Sequence, residues 1–530
     1  MEPSGAIITG YNIVDDYENI GDSEDDSTLP DALPYTKNKG ISLLSVFSLT
    51  MNMMIGTGVF GMPLAYYSAG LVLSILLLVL FYILTSFTAL YVLEAVARVG
   101  TYVKRHDTVD GYRHSRFTVY DAYGYTAIAS HTAGTWFKAL INILMIINCY
   151  GVLWSYVGTS VSSVGTIYWS IKDDPGHCPV VDHFKRDAEC QITYYASLGI
   201  YALMVVPLSF LNLASQAFIQ VIMMGYCVFV FILMITTCII QLASEGPISS
   251  ISVFNFKGFG TVFSHTAFAL VCHISLPDII APAKKKEKTH IPVIASLFVA
   301  SIFYGLVGAV CSVTFGETVQ TPVTLNWGSY TGIKSGWATG NTKWYAYIIR
   351  YAIVCFPVIN LLSSFPIVAQ TVASNIVSMF SPKWLDVGRR ASIAKLIALI
   401  VSISIPFILG AISSSLETIF DLTGLVSFML VFIIPCIFHL LSIRMFHKLS
   451  IFSYHPHTPF SGFYSRPFVV FGILGISFIL FVVSVVVLVF EIVHPSSSDG
   501  ASSSSASTSS STSVSALGWL ASGEIGRASC

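Results

Sequence analysis

Between Asn52 and Ala65 the chain reads NMMIGTGVFGMPLA, an apolar run broken by three glycines, a threonine and a proline. Gly56, Thr57 and Gly58 each lower helix propensity, and backbone groups released inside a bilayer must find protein, an ion or a solute as partner. Pro63 fits the early turns of a restarted helix, where a missing N–H costs nothing. Two half-helices meeting at Gly56–Gly58 aim bare amides and a positive dipole end at one spot. Such a spot receives a carboxylate; the competing reading is that small residues permit close helix packing.

A second apolar stretch, 260–282, is interrupted by His265, His273, Pro277, Asp278 and Pro282. Phe268 and Cys272 flank the expected break and are candidates to line a side-chain pocket beside the first one. His273, midway along, titrates near neutrality and is a candidate proton carrier; a buried histidine bonded to a carbonyl is the alternative. Glu417 and Asp421 stand four apart at one end of a later apolar run, so that either one holds a proton or both are hydrated. Glu94 and Arg98, also one turn apart, read as a surface pair.

These groups need helices to place them, and the composition supplies them. Of 530 residues, 54% are hydrophobic and 10% charged, against roughly 25% charged in soluble domains. The chain is a polytopic, all-α integral membrane protein of about eleven spans. They fall near 43–67, 70–97, 136–168, 192–213, 217–242, 260–282, 291–315, 345–378, 391–412, 416–442 and 467–493. Interruptions in the first and sixth spans point to an inverted five-plus-five repeat with discontinuous first and sixth helices and a midplane site, the eleventh span lying outside the repeat. Most of the 27 lysines and arginines fall on one side when the N-terminus is cytosolic, which puts the C-terminus on the opposite side. Lys284, Lys285, Lys286 and Lys288 then anchor the cytosolic side, with attraction to anionic lipid as a secondary role.

Three regions result: an acidic cytosolic tail at 1–39, a transmembrane domain at 40–494 and a serine-rich tail at 495–530. The last residues of that tail, 524–530, read like translated vector sequence. Both tails lack the apolar content to form a core. Tyr11–Val14 and Tyr17–Ile20 are similar to tyrosine-based sorting signals, which makes a clathrin adaptor a candidate partner and an endolysosomal or vacuolar membrane, beside the plasma membrane, a candidate location. Cys178 and Cys190 share a polar loop on the non-cytosolic side, where oxidation would join them. The other membrane cysteines show no metal-ligand spacing and read as small packing residues. No metal or organic cofactor is expected, a net charge of −1 gives no reason to expect nucleic acid, and HExxH and GxSxG enzyme motifs are absent.

Four stretches in order, NMMIGTGVFGMPLAYYSAG, CHISLPDIIAPAKKKEK with YGLVGAVCSVTFGETV, SSFPIVAQTVASNI, and SSLETIFDLTGLVSFMLVFIIPCIFHL, resemble the amino acid/auxin permease family. The resemblance runs from Gly40 to Glu491. It implies a leucine-transporter-like fold, alternating access and an amino acid substrate driven by a proton or sodium gradient. It further implies ion coupling through Asn52 and Ser364, with Ser363 as the register alternative, and substrate contact at Thr57. The chain departs from the family pattern in lacking an acidic residue just before the lysine cluster and in carrying Gln370 where some sodium-coupled members have arginines. An amino acid sensor, binding without net transport, is the competing expectation.

Overall fold

The computed structural model describes residues 40–107, 124–172, 174, 178, 188–210, 216–247, 251–334, 336–379, 388–413, 415–448 and 458–493. The Tyr11 and Tyr17 motifs and the serine-rich tail lie outside them.

The first span is two helices, α1 (Leu43–Met54) and α2 (Gly58–Ala69), meeting at 54° across Ile55–Thr57. Then come α3 (Leu71–Asp107), the short α4 (Tyr125–Ala133), α5 (Thr135–Ile171), α6 (Ala188–Ser209) and α7 (Gln216–Ser244). The sixth span begins as α8 (Phe259–Ala269), unwinds over Leu270–Ser275 and resumes as the one-turn α9 (Leu276–Ile280). The chain continues through α10 (His290–Phe315), α11 (Trp344–Ser378), α12 (Gly388–Ile412), α13 (Leu416–Phe428), a π-helical turn at Met429–Ile433, α14 (Ile434–Lys448) and α15 (Pro467–Val493).

Among the described residues, nine helices are long and apolar enough to cross a membrane, and the bent α1–α2 pair makes a tenth. Neither α8, with 11 residues, nor α9, with five, is long enough to cross alone. An odd number of crossings in the first half means that the second half enters from the opposite face, so the two broken spans run antiparallel. Large apolar side chains such as Leu76, Phe468 and Ile479 stay exposed on the outside of the bundle, as a lipid-facing surface requires.

Backbone bonds tie the broken spans together at each end. At one end Ile41 forms a parallel bridge with Ala283, its N–H donating to the Pro282 carbonyl (2.9 Å) and its carbonyl accepting from the Lys284 N–H (3.1 Å). Gly40 must be small there, because a Cβ would sit 2.9 Å from the Pro282 oxygen. At the other end Asn255 donates to the Ala69 carbonyl through its N–H and to the Ser68 carbonyl through Nδ2, both at 2.8 Å. The disulfide Cys178–Cys190 belongs to this second end, beside Trp169 near the end of α5.

An aromatic seam joins α3, α8 and α13, with Phe81 at 5.2 Å from Phe263 and 5.1 Å from Phe432. Phe432 lies in the π turn, where the ladder slips register and carbonyls need other partners. Tyr125 of α4 donates its hydroxyl to the Leu430 carbonyl at 2.6 Å.

Glu94 and Arg98 are not a surface pair. Helix α3 continues to Asp107, so both lie inside it, buried to 0% and 1% exposure. Arg98 is hydrogen-bonded to Glu94, donates to Ser442 Oγ (3.1 Å) and lies 3.3 Å from His439 Nδ1. Glu94 also accepts from Ser461 and Ser465, and Tyr91 donates to the Tyr464 carbonyl. One ion pair thereby locks the segment before α15 onto α3 and α14.

Candidate functional site

The two breaks face each other across a cavity of about 60 Å³. Gly56, Thr57 and Gly58 line it from the first span, and Phe268, Val271, Ile274 and Ser275 from the sixth. Helix α5 adds Asn148, Val152 and Tyr156; α11 adds Ile367, Val368 and Thr371. No acidic, basic or histidine side chain is among the lining residues.

The glycines do separate jobs. A Cβ on Gly58 would lie 2.7 Å from Ala269 Cα, so this glycine lets α2 touch the end of α8, whereas a Cβ on Gly56 would meet the Tyr156 hydroxyl at 3.3 Å. A Cβ on Gly61 would lie 2.6 Å from the His265 ring. Thr57 contributes its backbone more than its hydroxyl. Ser155 spends its hydrogen on the Val152 carbonyl (2.7 Å), so the 2.7 Å bond between Thr57 and Ser155 has Thr57 as donor.

The first amides of a helix have no intrahelical acceptor. At the start of α2, Phe60 bonds back to Thr57, while the amides of Thr57, Gly58 and Val59 have no acceptor among the described residues. Asn148 adds a fourth donor: its Oδ1 accepts from Ser427 at 2.7 Å, and its buried Nδ2 has no partner among the described residues. Acceptors come from the end of α8. There Leu270 satisfies the Thr266 carbonyl and Tyr304 the Ala269 carbonyl, leaving those of Ala267 and Phe268. Donors on one side and acceptors on the other match a zwitterion.

Other expected site residues are placed elsewhere. Cys272 is buried in the main core and does not line the cavity, because the unwound stretch turns Val271 and Ile274 inward instead. His273 is fully buried and faces α3, with Nε2 3.0 Å from Thr88 Oγ1. Thr88 donates to the Leu84 carbonyl, so His273 is the donor in that bond and pins the break to α3. Asn52 is 8% exposed and absent from the lining. Ser364 and Ser363 both donate back to the Asn360 carbonyl, at 3.2 and 2.8 Å. The structure therefore does not gather Asn52, Ser364 and His273 around the cavity.

Three residues carry more than their types announced: Asn148, Tyr156 and Asn360. Asn360 donates Nδ2 to the Ile55 carbonyl at 3.3 Å, capping the first break from α11, and its buried Oδ1 has no partner among the described residues. An amide in an apolar run needs a reason in hydrocarbon, but α5 also carries Asn142 and α11 also carries Gln370 and Asn375, so residue type alone does not single these positions out.

The family model described as transmembrane amino acid transporter protein matches residues 39–458. The chain belongs to this family. Within the transmembrane amino acid transporter family it is similar to the transmembrane protein 104 homologues. With the Caenorhabditis elegans protein it shares 28% identity over 355 residues, 64% of this chain and 68% of that one. For the Drosophila melanogaster homologue the values are 23% over 436 residues, 71% and 84%; for the human protein, 22% over 373 residues, 62% and 73%. Among solved structures, MhsT in complex with L-phenylalanine superposes with a TM-score of 0.52 at 11% identity, over 84% of this chain and 98% of that one. The likeness fixes the architecture as the leucine-transporter-like one. Membership makes the chain a multi-pass membrane transporter rather than an enzyme.

Proposed function

We propose that the chain moves small neutral amino acids across its membrane by alternating access, driven by an ion gradient. The observation that carries this reading is a set of amides at Thr57, Gly58 and Val59, without acceptors among the described residues, beside a cavity that no charged side chain lines. A carboxylate at the start of α2 is stabilised by those amides and by the helix dipole, and the ammonium reaches the Ala267 and Phe268 carbonyls. The side chain rests on Val271, Ile367 and Val368. Size is the second support. One water needs about 10–15 Å³ of such space, so the cavity holds about four to six water-sized groups, close to the heavy atoms of a small amino acid.

The disulfide end is read as the non-cytosolic face, in keeping with where such bonds persist. Purified protein in liposomes, offered labelled alanine, serine, leucine, lysine and glutamate under imposed ion gradients, tests the reading. Small neutral amino acids should accumulate, while lysine and glutamate should not, since burying either charge here leaves it without a partner. Binding without gradient-dependent accumulation would instead make the chain a sensor. Asn148→Leu should weaken alanine binding by about 1–3 kcal/mol, read by calorimetry, through loss of one buried donor to the carboxylate.

A further inference from the structure

His265 lies on α8, one turn outward of Phe268, where Gly61 leaves room for its ring. Its Nδ1 is 2.8 Å from the Thr261 carbonyl. A carbonyl only accepts, so Nδ1 carries the hydrogen and Nε2 is left as a bare lone pair. That Nε2 is fully buried and has no partner among the described residues. An isolated acceptor in a core is costly, and a proton is the smallest thing that can fill it. Protonation at Nε2 makes an imidazolium, and a counter-charge is in place: Asp421 Oδ1 of α13 lies 3.8 Å from Nδ1. In a low-dielectric interior that pairing is much stronger than in water.

The acids around it are graded by exposure. Glu417 is exposed at the disulfide end of α13. Asp421, one turn deeper, has a side chain 15% exposed, and the His265 side chain is at 0%. The other elements packed on α8 add no acid or competing base at this level. Helix α2 carries Tyr66 and Tyr67, the turn before α8 carries the exposed Lys257, the first charge of α3 is Glu94, and the described side chains of α15 are uncharged. Phe420, next to Asp421, packs against His265 at 5.0 Å and against Phe268 at 5.2 Å. Since Phe268 lines the cavity, a change in the His265–Asp421 pair is felt at the solute through two rings.

We propose that His265 and Asp421 form a proton-binding site on the disulfide side of the cavity, loaded from solvent by way of Glu417, which couples proton movement to solute movement. The proton is taken up at Nε2 and returned to solvent after the protein reopens on the other face; no bond in the solute changes. This deepens the transport reading and rests on it. Thermodynamic linkage then requires that protonation and solute binding strengthen each other by the same factor.

Two measurements on the purified full chain test it. Infrared difference spectra between pH 8 and pH 5 should show imidazole and carboxylate bands that His265→Gln and Asp421→Asn remove. In liposomes, both variants should lose pH-driven accumulation of labelled L-alanine by about tenfold or more, while alanine exchange at equal pH and saturating alanine, which needs folding but no proton coupling, stays within about twofold. His273→Gln should keep the pH response. Wild-type accumulation by His265→Gln, or an infrared spectrum that it leaves unchanged, overturns the proposal. If the wild type moves no alanine at all, the transport reading fails separately. The infrared comparison then decides the proton site alone: bands lost in His265→Gln support it, and bands retained overturn it.

Discussion

Gly56→Leu is expected to abolish amino acid uptake while the protein still reaches the membrane and keeps its fold. Position 56 opens on the cavity, and the first added atom already lies 3.3 Å from the Tyr156 hydroxyl. Four carbon atoms at about 10–15 Å³ each would take up most of the available space. The amides at the start of α2 would then be covered, and uptake should fall by about 100-fold or more. Thermal unfolding of the detergent-purified variant should stay within a few degrees of wild type. Gly58→Leu offers a contrast, because its new side chain runs into the Ala269 backbone at 2.7 Å. That variant should lose stability and uptake together. Gly56→Leu with normal uptake would remove the cavity from the mechanism.

Arg98→Met should produce the largest loss of stability. The substitution leaves the Glu94 carboxylate buried at 0% exposure with Ser461, Ser465 and His439 around it and no guanidinium. Breaking a buried pair from one side costs about 3–5 kcal/mol, whereas an exposed pair is worth about 0–1 kcal/mol. The double variant Glu94→Gln/Arg98→Met should recover much of that loss, since no isolated charge remains. Urea or thermal unfolding of the purified chain reads both, and limited proteolysis between Thr458 and Arg466 should quicken in the single variant. A loss below about 1 kcal/mol would return the pair to the surface class.

The first break was legible because glycine and proline density inside a greasy run has few explanations in a bilayer. The sixth was legible as a region, but its register was not: which residues of an unwound stretch face inward depends on backbone torsions that no periodicity encodes. Cys272 and Val271 are neighbours, and the fold chose Val271 for the cavity. Glu94 and Arg98 misled because an i,i+4 pair looks the same on a wet surface and in a core. The charge-poor stretch around them and the helix continuing to Asp107 separate the two cases. Asn148, Tyr156 and Asn360 sit on α5 and α11 among other polar residues such as Asn142 and Asn375, so which of them converge on the first break is a property of helix packing. His265 was noted only as punctuation, since its empty lone pair exists because Thr261, four residues earlier, takes the other nitrogen.

The backbone ties at Ile41–Ala283 and Asn255–Ala69 have a mechanical consequence. They bind α1 to the end of the α9 segment and α2 to the start of α8, so the four half-helices form two stiff couples jointed at the unwound stretches. A state leaking to both faces would need both couples to swing apart at once, and a solute bridging Thr57 to Phe268 spans the joint that resists it.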